Sequence, residues 1–65
     1  MKILIWNMRT RKRVSLYELS RRTNISKSAL NYYENEERKV NIFQLEDIAK
    51  ALNCKITDLF ESDWK

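Results

Sequence analysis

The chain's main chemical resource is cationic, and it is unevenly placed. Thirteen lysines and arginines stand against nine aspartates and glutamates, a net charge of +4. Residues 1–33 hold Lys2, Arg9, Arg11, Lys12, Arg13, Arg21, Arg22 and Lys27 against Glu18 alone, a net +7. Residues 34–65 hold five cations against eight acids, a net −3. A small domain with one basic half suits a polyanion, and the chemistry would be phosphate neutralisation. The acidic half would repel a phosphate backbone and could orient the molecule on it. Other reactive groups are scarce. Histidine, the commonest general base and metal ligand, is absent. A single cysteine, Cys54, excludes an intrachain disulfide and a multi-cysteine zinc site. The absence of glycine excludes a P-loop or a dinucleotide-binding loop. The expectation is a binding module rather than an enzyme, with no cofactor, metal or small-molecule ligand implied.

Sixty-five residues make one small domain, spanning 1–65, in which 43% apolar content permits a compact core. The longest apolar run, Ile3-Leu4-Ile5-Trp6, is far short of the roughly 20 residues of a membrane span. No apolar stretch of the usual ~7–15 residues follows Lys2, so no signal peptide is expected. The expected setting is cytoplasmic, with no membrane partner.

What must position the cations is a set of short helices. With no Gly or Pro, capping residues supply the punctuation. Ser15-Leu16-Tyr17-Glu18 fits a capping box, in which each end's side chain meets the other's backbone N–H. Asn41-Ile42-Phe43-Gln44 fits the same scheme with amides. Ser26 is a further N-cap candidate, and Thr57 precedes Asp58, an acid suited to a first turn. Asn24, Asn35 and Asn53 fall where helices should close, and Asn is the best non-glycine residue for left-handed closure. The resulting expectation is an all-α domain of five helices over about 5–12, 16–23, 27–34, 42–52 and 58–62, with residues 1–4 extended. Ile42, Leu45, Ile48, Ala49 and Leu52 share one face of the fourth helix. Leu59 and Phe60 should close the bottom of the core. Trp6 and Trp64 could pack together or form a dimer patch, and Cys54 reads as a small apolar filler.

The segment 15–35 is the informative one. Leu19 ends the second turn of one helix, Asn24-Ile25-Ser26 makes a tight turn, and Leu30 and Tyr33 return to the core. This spacing predicts a helix-turn-helix held by Leu19, Ile25 and Leu30. Such a turn pushes the N-terminus of the following helix outward, where it can enter a DNA major groove.

The series Val14-Ser15, Leu19-Ser20, Asn24-Ile25-Ser26, Leu30-Asn31 and Tyr33-Glu34-Asn35 resembles the lambda-repressor-like, Cro/Xre-type helix-turn-helix family. The likeness continues through Ile42, Leu45, Ile48-Ala49 and Leu52 to Leu59-Phe60. It takes in nearly the whole chain, and the Ala51-Leu52-Asn53-Cys54 ending is similar to small stand-alone bacterial members. The resemblance implies a compact five-helix DNA-binding domain. The chain departs from the family at Leu16, where Gln is usual, and at Ser20, where Ala is usual. It has Arg13, Asn24 and Glu36 where the family has Gly, and Val40 where Pro is frequent.

Carried across residue by residue, the resemblance places Lys27, Ser28 and Tyr32 where recognition-helix side chains meet base edges, with Asn31 beside them. Lys27 could donate to guanine O6/N7, Asn31 could pair with adenine, and Tyr32 could meet a thymine methyl or a phosphate. Ser15, Leu16, Ser26 and Asn35 occupy helix ends where backbone N–H groups can meet phosphate. Arg38 and Lys39 lie in a loop that often touches the DNA backbone in relatives. Arg9 and Glu34 match a pair that, in many relatives, fixes the angle of the recognition helix. The implied function is sequence-specific double-stranded DNA binding by a small transcriptional regulator, as a homodimer on a two-fold site. The alternative is an antitoxin-like or partner-binding protein-interaction module on the same fold, suggested by Leu16, Glu36-Glu37 and the terminal tryptophans.

Overall fold

A computed structural model describes all residues 1–65. Its elements in order are β1 (Lys2–Ile3), α1 (Ile5–Arg11), α2 (Leu16–Thr23), α3 (Lys27–Glu34), α4 (Ile42–Leu52), a 3-10 turn (Ile56–Leu59) and β2 (Phe60–Glu61). The N-terminal caps act locally, as their side chains dictate. The Ser15 hydroxyl accepts from the Glu18 N–H at 3.0 Å, that of Ser26 from the Ala29 N–H at 3.1 Å, and the Asn41 amide oxygen from the Gln44 N–H at 2.8 Å. The first box is only half made. The Glu18 carboxylate turns instead to Arg21 and Arg22, at 3.4 and 3.2 Å.

All four α-helices close through a left-handed residue that is not glycine: Arg13, Asn24, Glu36 and Asn53, with φ of 57, 60, 59 and 52°. Left-handed backbone costs a residue with a Cβ about 1 kcal/mol, least for Asn. Three of the closures carry the paired hydrogen bonds of a Schellman motif. At the end of α3 the Glu36 N–H donates to the Tyr33 carbonyl at 3.1 Å and the Glu37 N–H to that of Tyr32 at 2.9 Å. This geometry corrects one expectation. Asn35, at φ −88° and ψ 1°, still donates to the Asn31 carbonyl as part of the last turn, and the reversal falls on Glu36. The turn between α2 and α3 is tied by side chains as well. The Ser20 hydroxyl donates to the Ile25 carbonyl at 2.6 Å, and the Thr23 hydroxyl accepts from the Ile25 N–H at 3.2 Å.

The chain has four α-helices, not five, and is not wholly α. Where a fifth helix is expected, one 3-10 turn is followed by an antiparallel ribbon pairing Lys2 with Glu61 and Ile3 with Phe60. The Leu4 N–H extends it by donating to the Leu59 carbonyl at 2.8 Å. A five-residue helix could not repay its nucleation cost. Pairing with the extended N-terminus satisfies the same backbone groups while burying Leu59 completely. Thr57 lies inside the turn, and the Asp58 carboxylate reaches back to accept from the Lys55 N–H at 3.0 Å.

Ile5, Val14, Leu19, Leu30, Leu45, Ile48, Ala49, Leu52 and Leu59 form one core. Each α-helix contributes at least one of them, so burying this cluster sets the angles between the helices. Ile25, Tyr33, Ile56 and Phe60 pack against it from the connections and edges. Ile42 departs from the expected buried face of α4 and is exposed, because it lines an open groove that no other element covers. Trp64 is 95% exposed, so of the two alternatives for Trp6 and Trp64 the packing of one on the other is not made. No helix is long and apolar enough to cross a membrane.

Candidate nucleic-acid interface

The candidate interface is built on α3. Its inward side carries Leu30, fully buried, and Tyr33, packed against the core. These leave Lys27, Ser28 and Asn31 exposed along the opposite side. The tilt of the helix is held from behind by Arg9 on α1. Arg9 Nε meets Glu34 Oε2 at 2.7 Å, its Nη2 meets Oε1 at 3.2 Å, and its Nη1 donates to the Val14 carbonyl at 3.1 Å. The pair is largely shielded, with 14% and 5% of the two side chains exposed. A bidentate arginine-carboxylate bond in such surroundings is directional and resists screening by salt. It fixes the last turn of α3 to α1 and the start of α2.

Ser26 and Ser15 are both exposed, with hydroxyl oxygens committed to capping. The N–H groups beside them point out of the N-termini of α3 and α2, where the helix dipoles favour an anion. Leu16 is half-buried against the core, so its side chain serves packing and only its backbone belongs to this helix end. Asn35 is exposed at the far end of α3, with its amide 3.5 Å from that of Asn31. Arg38 and Lys39 are exposed in the following loop, beside the equally exposed Glu36 and Glu37. Tyr32 is half-buried, and the Arg38 guanidinium carbon stands 4.3 Å from the centre of its ring.

One residue of this surface escapes a reading by helix ends alone. Tyr17, on the first turn of α2, is 60% exposed, and the Lys27 ammonium stands 6.0 Å from its ring centre. Its signal in the sequence is an aromatic residue lying off the Leu16–Leu19 apolar stripe. The structure thus gathers Ser15, Tyr17, Ser26, Lys27, Ser28 and Asn31 around the paired helix starts, with Asn35, Arg38 and Lys39 at the other end of α3.

The basic half is less free than its count suggests. Arg9 is neutralised by Glu34, and Arg21 and Arg22 share Glu18. Arg22 also donates to the Ala51 carbonyl at 3.0 Å, and Lys12 reaches the Asn53 carbonyl at 3.4 Å. Lys27 makes no ion pair, so its charge remains available to an incoming anion. Away from this face, burial pushes the Cys54 thiol above its ordinary pKa, Asp58 adds to the rise and Lys12 opposes it. Cys54 is therefore a protonated thiol at neutral pH and a poor nucleophile.

A search of curated proteins finds no match to the chain. The sequence family described as the Cro/C1-type HTH DNA-binding domain matches residues 4–63. That span takes in the Arg9–Glu34 brace, the two Ser-capped helices and the ribbon strand β2. A match over all of these elements, with the second helix of the turn presented outward, means that the chain belongs to the Cro/C1-type helix-turn-helix DNA-binding family.

Proposed function

We propose that this chain is a sequence-specific, double-stranded-DNA-binding transcriptional regulator that reads the major groove with α3. The observation that carries the reading is the outer side of α3. It presents an unpaired lysine, a hydroxyl and an amide beside two helix N-termini, while its inner side is locked by Leu30 and by Glu34 on Arg9. Lys27, Ser28 and Tyr32 meet base edges with Asn31 beside them, and the helix starts at Ser15–Leu16 and Ser26 meet phosphates. Lys39 and the side-chain amide of Asn35 supply further contacts to the DNA backbone. One domain of this size offers little contact area, so the working form on DNA is a homodimer with half-sites about 10 bp apart. Its place of action is the cytoplasm, where bacterial DNA lies.

The test is selection of binding sites from random duplexes, followed by mobility-shift titration at two salt concentrations. The expected result is a two-fold-symmetric consensus, bound at least tenfold less tightly by Lys27→Glu. Failure to enrich any sequence would remove the reading.

A second reading rests on a separate observation. Met1, Ile3, Val40, Ile42 and Leu45, with Glu36, Arg38 and Lys39, line an open and mainly apolar groove of about 560 Å³, and Phe43 is exposed elsewhere on the first turn of α4. An exposed apolar surface of this kind suits a protein-interaction module. A stoichiometric protein complex that forms while DNA binding is absent would favour it.

A further inference from the structure

Arg38 has two candidate employments. A loop arginine beside DNA ordinarily serves as a phosphate contact, yet here it is folded back onto the recognition helix. The reversal at Glu36 (φ 59°) and the Glu37 N–H bond to the Tyr32 carbonyl at 2.9 Å turn the chain so that residue 38 returns over residue 32. The guanidinium then stands 4.3 Å from the Tyr32 ring centre, well within cation-π range. Neither Glu36 nor Glu37 competes for it with an ion pair. Tyr32 is thus held twice, by its carbonyl and by its ring, both times from the same loop. Its side chain is half-buried, unlike that of Asn31 one residue earlier.

We propose that Arg38 is a specificity-positioning residue: stacked on Tyr32, it fixes the ring at the end of α3 and so decides which base step the second half of the helix accepts. The proposal rests on α3 reading DNA, as argued above. The stack immobilises the tyrosine before binding, so less conformational freedom is lost when DNA arrives. Only a planar guanidinium can do this well. Lysine carries the same charge as a compact ammonium that does not stack, so Arg38→Lys separates charge from geometry.

The experiment compares wild type, Arg38→Lys, Tyr32→Phe and Tyr32→Leu as full-length chains. Affinity for the selected duplex and for a scrambled duplex is measured across a salt series. NMR shifts of the Arg38 side-chain protons are recorded without DNA. Ring-current shifts on Arg38 are expected in wild type and Tyr32→Phe and absent in Tyr32→Leu. Arg38→Lys should keep the salt slope but lower the ratio of specific to non-specific affinity about two- to fivefold, the size of an exposed cation-π contact. Tyr32→Phe should retain more of the ratio than Tyr32→Leu. Wild-type discrimination in Arg38→Lys, or no ring-current shift in the wild type, overturns the proposal. A wild type that selects no sequence while the shift persists overturns the DNA reading of α3 and this role with it, leaving only the stack.

Discussion

Helices α2 and α3 are built to one local recipe and end in different employment. Each has eight residues, a serine N-cap whose hydroxyl accepts from the N–H three residues on, and a left-handed closing residue. Each buries one leucine completely, Leu19 or Leu30. Yet the cations of α2 are occupied, with Arg21 and Arg22 on Glu18 and Arg22 also on the Ala51 carbonyl of α4. The exposed side of α3 meets no acid and touches α2 only where Lys27 stands over the Tyr17 ring, and its one acid, Glu34, is turned back to Arg9. Local sequence makes both helices. What each touches separates them: the cations of α2 are occupied, and the outer side of α3 is left open.

The largest test of this contrast removes the brace behind α3. Glu34→Ala leaves Arg9 partly buried without its partner and should cost about 3 kcal/mol in urea denaturation, with Glu34→Gln costing less. A loss of only a few tenths would mean that the core alone sets the angle of α3. The next test asks whether the two helices differ in DNA binding. Lys27→Ala should lower affinity about tenfold in fluorescence anisotropy, whereas Arg22→Ala should change it less than twofold. Equal losses would erase the distinction.

Smaller effects concern the shared recipe. Ser15→Ala and Ser26→Ala should each destabilise by about 1 kcal/mol in thermal melts, because both lose the same capping bond. A clear difference between them would show that tertiary contacts, not the caps, hold one helix start. At the other ends the helices should diverge. Glu36→Gly should stabilise the protein by about 1 kcal/mol, and Asn24→Gly by only a few tenths, since asparagine already tolerates left-handed backbone. The smallest change is expected from Glu18→Gln. Its exposed pairs with Arg21 and Arg22 should contribute about 0.5 kcal/mol or less, vanishing in high salt.

Much of the framework was legible along the chain. The limits of α2, α3 and α4 follow from Ser15, Ser26 and Asn41 at their starts and from the spacing of Leu19, Leu30 and Leu45. These signals act within one or two turns, so reading them needs no knowledge of the rest of the fold. The reach fails where a partner lies far away in sequence. Phe60 and Glu61 read as helical until β1, nearly 60 residues earlier, offers them an edge to pair with. Asn35 reads as a left-handed stop until the bonds from Glu36 and Glu37 move the reversal on by one residue. For the interface, the exposure of Lys27, Ser28 and Asn31 follows from helical periodicity around Leu30. The packing of Leu16, the exposure of Tyr17 and the stack of Arg38 on Tyr32 do not, since each depends on how neighbouring elements fill or vacate space.

The amino-acid sequence by itself determined where the helices begin, which sides they bury and that one half of the molecule is basic, because caps, periodicity and charge are properties of neighbouring residues. The pairs of Arg21 and Arg22 with Glu18 lie within one turn of α2, but only the tertiary structure decided that Arg9 is spent on Glu34 and that no acid comes to Lys27. Arg9, Arg21 and Arg22 are claimed by carboxylates, and Lys27 has no acid partner. The reason is geometric: an ion pair forms within about 4 Å, and only folding brings residues as distant in sequence as Arg9 and Glu34 to that separation.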